Sequence, residues 1–497
     1  MAAFDPLSRV LGGLAALLGG VAVCVYAAAG LTLSHYDAKA HLVVARRILD
    51  SLTPSWEQIG AVWLPLPHVL NALPVQIDLL YRTGAAAIVL SVLSCALAAA
   101  CLAALVVRLT GSRAGGALAA LLFAANPSIL YLQSTPMTEP LLFGLTTLAV
   151  LLLTEWAQSD TRDTPRAAGW AIVGACLTRY EAWPVVAAAM GLAAWVRWRR
   201  GTALSELTPM VARIAMYPAA ALVAFLLLSR ITIGEWFVTG GFYVPDPQLA
   251  GRPGLVAEAI VTGAAALGGW RLVELGGLAS VALVIAALSQ GGRSALVMPL
   301  SLAASAALPF YAYVSGHPFR TRYQVPVILA LAATTGAGVG LLRRLAPGAA
   351  LAIAAAVMLQ SPPFERDGPM LREAQLDRVN SQGRRAVTAC LSASYDGTTI
   401  MASMGSLAHY MQELSNEGFG IADFLHEGNG PLWVMALSRG PAPLAGWVLV
   451  EEVAEGGDVL FERQRAFPGF LTGFDRVCEG GNTALYRRGA LPTVPRE

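Results

Sequence analysis

The stretch VLGGLAALLGGVAVCVYAAAGLTL (residues 10–33), followed at once by SHYDAKAH (34–41), decides how this chain is read. The first part holds no charged side chain. As a helix rising about 1.5 Å per residue it reaches about 36 Å, more than the roughly 30 Å hydrocarbon core of a bilayer. Arg9 precedes it and no small-residue cleavage site is in view, so it reads as a retained anchor and not as a removed signal. The second part returns abruptly to ionisable residues, and the questions about function begin there.

Similar apolar runs follow at 84–107, 114–132, 139–156, 167–178, 182–196, 210–229, 272–289, 295–314, 323–342 and 346–360. The expected fold is therefore a polytopic α-helical membrane protein with about eleven transmembrane segments. Composition agrees, with 56% of the 497 residues hydrophobic and only 13% charged, about half the charged share of a soluble domain. A net charge of +2 and dispersed arginines exclude a nucleic-acid groove, which needs Lys and Arg clustered on one face. With a cytoplasmic N-terminus, Arg9, Arg108, Arg113, Arg162, Arg166, Arg197, Arg199, Arg200, Arg293, Arg343 and Arg344 all fall at cytoplasmic ends, as the positive-inside bias requires. The loops at 34–83, 133–138, 179–181, 230–271 and 315–322 then face outward, and so does everything after 361. The expected location is the plasma (inner) membrane, multi-pass, of a bacterium with a GC-rich genome, since Lys39 is the single lysine among many arginines.

Residues 1–361 form the expected membrane module and 362–497 a second, water-soluble unit of about 135 residues, where charges and turn pairs such as Asp396-Gly397 return. Strand-like runs (Thr398 to Met401, Trp447 to Val450, Thr483 to Tyr486) alternate with helix-like stretches near 369–390, 405–414 and 457–465, which predicts a small α/β unit folding separately. Four of the six cysteines (Cys24, Cys95, Cys101, Cys176) lie in apolar runs and read as small core residues. Cys390 and Cys478 fall in the soluble unit, and a disulfide between them stays open.

The outward loops carry the candidates for chemistry. In the first, Asp37 and His41 are four residues apart and share a face if they lie on a helix, just ahead of the amphipathic stretch Leu42 to Leu49 that reads as lying on the membrane surface; Asp37 could equally cap this helix. Further on, Pro65 and Pro67 are expected to prevent regular helix and to hold Trp63 and His68 near the interface. Trp63 has an ordinary role there as a belt residue, whereas a histidine at that depth can line a polar cavity. Thr138-Glu139-Pro140 is a good helix start by itself, yet it adds a second carboxylate at the same face. Arg179, Tyr180 and Glu181 sit between two runs too short to cross a flat bilayer, so they are expected in a water-filled depression, with a structural Arg179–Glu181 pair as the plain alternative. His317, Arg320 and Arg322 place cations at one more outer helix end, where guanidinium suits a phosphate.

An acid just after the first transmembrane helix, an interfacial helix behind it, a Thr-Glu-Pro start to the fourth segment and short paired helices bearing Arg179 resemble the GT-C membrane glycosyltransferases. The pattern is most similar to the protein O-mannosyltransferase and aminoarabinose transferase group (glycosyltransferase family 39-like), over about residues 5–345. The resemblance implies transfer of a sugar from a polyprenyl-phosphate donor to an unidentified glycan, lipid or protein acceptor on the extracytoplasmic side, with inversion. It implies Asp37 as general base, Glu139 as the second acidic position orienting acceptor or sugar, and Arg179 as the partner of the leaving phosphate, helped by Arg320 or Arg322. Ala38 stands where the mannosyltransferases usually carry a second acid, so the identities of donor and acceptor do not carry over.

A divalent metal is open only if His41, His68, His317 and Glu139 converge; sequence spacing shows no convergence, and no cofactor is assigned. The rival class is a multi-pass transporter or flippase. Such proteins place charges near the midplane, often in two inverted halves, and here the charges crowd one face.

Overall fold

The structure, a computed structural model, describes residues 4–238 and 245–489, without the side chain of Glu455. Residues 1–3 and 490–497 of the two expected units, and 239–244 of an expected outer loop, lie outside the described residues. The first helix, α1 (Pro6–Ala28), starts where the Asp5 carboxylate accepts from the Leu7 and Ser8 N–H groups, satisfying two of the donors that every helix start leaves open. The first loop then holds α2 (Tyr36–Arg46), α3 (Leu66–Asn71) and α4 (Asp78–Thr83). The two prolines do not keep this segment out of helix, as the sequence suggested: Pro67 sits in the first turn of α3, where its missing N–H costs nothing.

The bundle continues through α5 (Ala85–Thr110), α6 (Arg113–Ala124), α7 (Pro127–Leu132), α8 (Glu139–Gln158), the short pair α9 (Arg166–Cys176) and α10 (Ala182–Arg199), and α11 (Leu204–Ile233). The expected run 114–132 is in fact two helices, because the Asn126 side chain turns back to accept from Ser128 N and Ile129 N and starts α7 afresh. Next come α12 (Pro253–Gly268), α13 (Trp270–Ser289), α14 (Ala307–Val314), α15 (Val325–Gly340) and α16 (Ala346–Gln360). Within the expected loop 230–271 the chain forms a helix, α12, an Ala/Gly-rich apolar segment with Pro253 in its first turn. Among the described residues seven helices are long and apolar enough to cross a membrane: Pro6–Ala28, Ala85–Thr110, Glu139–Gln158, Leu204–Ile233, Trp270–Ser289, Gly291–Val314 and Thr321–Gly340. The remaining expected spans are the shorter helices.

Close backbone approach fixes where α15 runs. A Cβ placed on Gly115 would stand 2.5 Å from the Gly336 carbonyl oxygen, and one on Gly336 would stand 2.6 Å from that of Gly115. Only glycine at both positions lets α6 and α15 meet this tightly, the small-residue packing typical of membrane helices.

After α16 the chain forms α17 (Pro369–Gly383), α18 (Arg385–Ser394), β1 (Ile400–Ala402), α19 (Met404–Leu414), β2 (Phe424–Leu425), α20 (Pro431–Arg439), β3 (Trp447–Glu451), α21 (Val459–Ala466), β4 (Phe474–Gly480) and β5 (Thr483–Arg488). The strands make one mixed sheet in the order β2-β1-β3-β5-β4, with β1 parallel to β2 and β3, and β5 antiparallel to β3 and β4. Because side chains alternate along a strand, Met401, Val448 and Val450 pack on one face with Trp433 and Leu460, while Ile400, Trp447 and Leu449 pack on the other. That second face shares its core with Leu42, Val43 and Ala45 of α2 and with Tyr81 of α4. The sheet therefore rests directly on the first loop.

Candidate active site

Helix α2 begins shortly after the end of α1, and its first residues set the site. The cap is His35: its Nδ1 accepts the Asp37 N–H at 3.1 Å. Asp37 stands two residues further in, 8% exposed, with its carboxylate free to point away from the helix end. There Asp37 Oδ2 accepts from Arg322 Nη2 at 2.5 Å. Burial pushes the Asp37 carboxyl up, but the adjacent guanidinium outweighs it and holds the group down at about 2. Since His35 Nδ1 accepts, the ring proton is on Nε2, which faces Glu373 Oε1 at 3.3 Å. The approach of Arg322 Nη1 to the same Nε2, 3.3 Å, then brings two donors together and is not a hydrogen bond.

The start of α8 repeats the pattern. The Thr138 hydroxyl makes no cap hydrogen bond; it accepts from Arg179 Nη1 at 3.0 Å. Glu139, 1% exposed, has Oε1 3.2 Å from Arg179 Nη1 and 3.3 Å from Arg322 Nε. These are ion-pair distances without hydrogen-bond angles, for both Glu139 oxygens and Arg322 Nε lack a hydrogen-bond partner. Arg179 also donates to Glu181 Oε1 through Nη2 at 2.6 Å and Nε at 3.2 Å. The result is one alternating chain, Asp37, Arg322, Glu139, Arg179, Glu181, with three carboxylates against two guanidiniums. Buried charges persist only when paired in this way. The start of α2, the start of α8, the turn leading into α15 and the α9–α10 turn each deliver a member, so the chain lies at one end of the bundle.

Among solved structures, that of ArnT from Cupriavidus metallidurans bound to undecaprenyl phosphate matches this chain with a TM-score of 0.63 over 97% of this chain and 99% of its own, at 13% identity. The fold is that of ArnT. The apo structure of the same ArnT matches with a TM-score of 0.58 at 12% identity, over 94% of this chain and 97% of that one. By sequence, no protein-family model and no curated protein matches the chain. The GT-C resemblance read from the motifs is thus borne out at the level of the fold.

Within this ArnT fold, His41, His68 and Trp63 form a second group beside the charged chain. His68 Nδ1–H donates to the Leu64 carbonyl at 3.1 Å, so its Nε2 accepts from His41 Nδ1–H, also at 3.1 Å. Burial pushes the His41 imidazole down to about 3, leaving it neutral, and lowers His68 as well. The Trp63 ring lies 4.1 Å from that of His41 and 5.9 Å from that of His68, nearly parallel to the latter. His41 and His68 line a recess with Asn71, Ser91 and Thr138.

Three further expected site residues make contacts of their own. Tyr180 packs among Trp183, Phe225 and Phe237 and donates to the Ala61 and Val62 carbonyls. His317 Nδ1 is 2.8 Å from the Pro318 carbonyl, and its ring lies against Tyr313 and Tyr323. The Arg320 backbone is pinned by the Tyr313 hydroxyl. The set His41, His68, His317 and Glu139 therefore does not converge as a metal site would require, and among the described residues no group of three His, Cys, Asp or Glu could hold an ion.

Sequence reasoning missed the support from the other end of the chain. Glu373 meets His35, Asp377 Oδ2 accepts the Tyr36 N–H at 2.8 Å, and Lys39 donates to Glu413 at 2.5 Å. Glu373 and Asp377 share a face of α17 by their four-residue spacing, the one signal available beforehand.

Proposed function

We propose that this protein is a membrane glycosyltransferase that moves a sugar from a polyprenyl-phosphate donor to an acceptor on the extracytoplasmic side, with inversion. The observation that carries the reading is the buried chain from Asp37 to Glu181 at one end of a bundle with the ArnT fold. The structure of ArnT bound to undecaprenyl phosphate supports a lipid-phosphate donor. In the reaction, an acceptor X–H attacks the anomeric carbon, Asp37 takes the proton, and the bond from that carbon to the phosphate oxygen breaks with its electron pair. The charge left on the polyprenyl phosphate needs a cation, and Arg179, fixed by Thr138, Glu139 and Glu181, is the candidate, with Arg322 beside it in the charged chain. A positioned base is worth about 10²–10⁴ in rate, and one preorganised donor on a developing anion about 10²–10³.

Glu139 keeps two buried oxygens without hydrogen-bond partners, so it can accept from hydroxyls of sugar or acceptor. Trp63 over His41 and His68 offers an aromatic face and a neutral polar edge to a sugar ring. Residues 1–361 constitute the catalytic membrane module, in the plasma membrane with a cytoplasmic N-terminus, and 362–497 the extracytoplasmic unit.

The test is release of labelled sugar by the purified protein in lipid nanodiscs, from polyprenyl-phosphate donors differing in the sugar and from nucleotide-sugar controls, with membrane extract supplying acceptors. Turnover of one lipid-linked donor is expected. Transbilayer movement of an intact lipid-linked sugar in liposomes, with no release from any donor, would replace the transferase with a carrier.

A further inference from the structure

Arg179 and Arg322 differ in how much of their hydrogen-bonding capacity is taken. Arg179 donates to Thr138 and twice to Glu181 besides facing Glu139. Arg322, only 7% exposed, is differently placed. One nitrogen donates to Asp37, Nε lies 3.3 Å from Glu139 Oε1 as an ion pair without a hydrogen bond, and Nη1 faces the protonated nitrogen of His35. A planar guanidinium with two of its three nitrogens making no hydrogen bond suits a phosphate, which it can hold through paired hydrogen bonds.

The same contact creates a difficulty for Asp37. A carboxylate held by a guanidinium is a poor base, and Asp37 at about 2 is far from the near-neutral value a general base needs. The charge balance adds to this: three carboxylates against two guanidiniums leave a single net negative charge, which repels an incoming phosphate unless one guanidinium turns away from its carboxylate. Resting on the transferase reading, we propose that Arg322 serves two anions in turn, holding Asp37 while the site is empty and passing to the donor phosphate on binding, so that the donor itself frees the base. Lipid binding and base activation are then one event, and Asp37 stays masked when only water is present.

The consequence is counter-intuitive. Asp37 competes with the phosphate for Arg322, so removing its charge tightens donor binding. Undecaprenyl phosphate is the probe, its affinity measured in nanodiscs for wild type, Asp37→Asn, Arg322→Gln and the double variant. The expected result is roughly tenfold tighter binding for Asp37→Asn and roughly tenfold weaker for Arg322→Gln, with no gain from Asp37→Asn once Arg322 is gone. An equal gain in both backgrounds would mean that Asp37 merely repels the phosphate, and together with no gain at all it overturns the exchange while leaving the transferase standing. If Arg322→Gln does not fold, Arg322→Lys, which keeps the charge but loses the fork, serves the same comparison. Displacement of the lipid by millimolar inorganic phosphate would assign the site to free phosphate and also overturn it. A wild type that binds no undecaprenyl phosphate would sink the transferase reading as well.

Discussion

Asp37 sits in the first turn of α2 and His35 takes the cap, which leaves the Asp37 carboxylate to meet Arg322. Thr138 likewise gives its hydroxyl to Arg179 and not to its own helix. In both places the ordinary structural role fails at the side chain, and that failure separates a site from a helix start. Arg179→Ala should lower kcat about 100-fold through loss of charge stabilisation on the leaving phosphate; an unchanged rate would remove Arg179 from the chemistry. Thr138→Val, which loses one hydrogen bond worth about 1 kcal/mol, should cost only several-fold in the same assay. The pH dependence has a definite sign. The Asp37 carboxyl is depressed from 3.8 to about 2, so its ion pair contributes stability above about pH 4 and loses it as pH falls toward 2. The acid limb of kcat/KM, which reports the free enzyme, should therefore lie below that of kcat, which reports the bound state after Arg322 has moved. Coincident limbs would contradict the exchange.

At the scale of elements, α2 is held from outside the bundle. Lys39, buried, donates to Glu413 on α19, and Arg384 meets the same carboxylate at 3.1 Å. Glu413→Gln would leave two cations facing each other with little water, a loss of about 3–5 kcal/mol readable as a lowered unfolding temperature. Burial raises the Glu413 carboxyl, but Lys39 and Arg384 pull it down to about 2 from 4.5. Its stabilisation is complete above about pH 4.5 and fades as pH falls toward 2, so the unfolding temperature should be flat from pH 5 to 8 and drop below 4.5. Little of this clamp was legible. Lys39 stood out as the lone lysine, but its partner lies 374 positions away, and no local pattern links the two. Hydropathy located the long helices because a bilayer imposes length and apolarity together. It missed α12, whose charged flanks resemble a loop, and α3, where prolines in a first turn looked like breakers.

For the whole molecule, the residues that were legible as candidates are those at helix ends: Asp37, Glu139, Arg179, Glu181 and Arg322 do come together. What the sequence could not supply is register. Arg322 and Arg320 looked equivalent, and only the path of α15, set by the Gly115–Gly336 contact with α6, selects Arg322 for Asp37, 285 positions away. The C-terminal unit adds a sheet whose core is continuous with α2 and a disulfide, Cys390–Cys478, joining α18 to β4. Reduction of that bond should destabilise this unit by roughly 2–4 kcal/mol, seen as an earlier unfolding transition under reductant; no shift would mean that the shared core alone secures it.

The measurement that bears most directly on the central claim is the turnover of Asp37→Asn against wild type with the preferred lipid-linked donor, alongside undecaprenyl phosphate binding by the same preparations. The account predicts a loss of about 100-fold or more in kcat with binding retained or tightened. Undiminished turnover in a variant that binds normally would contradict it.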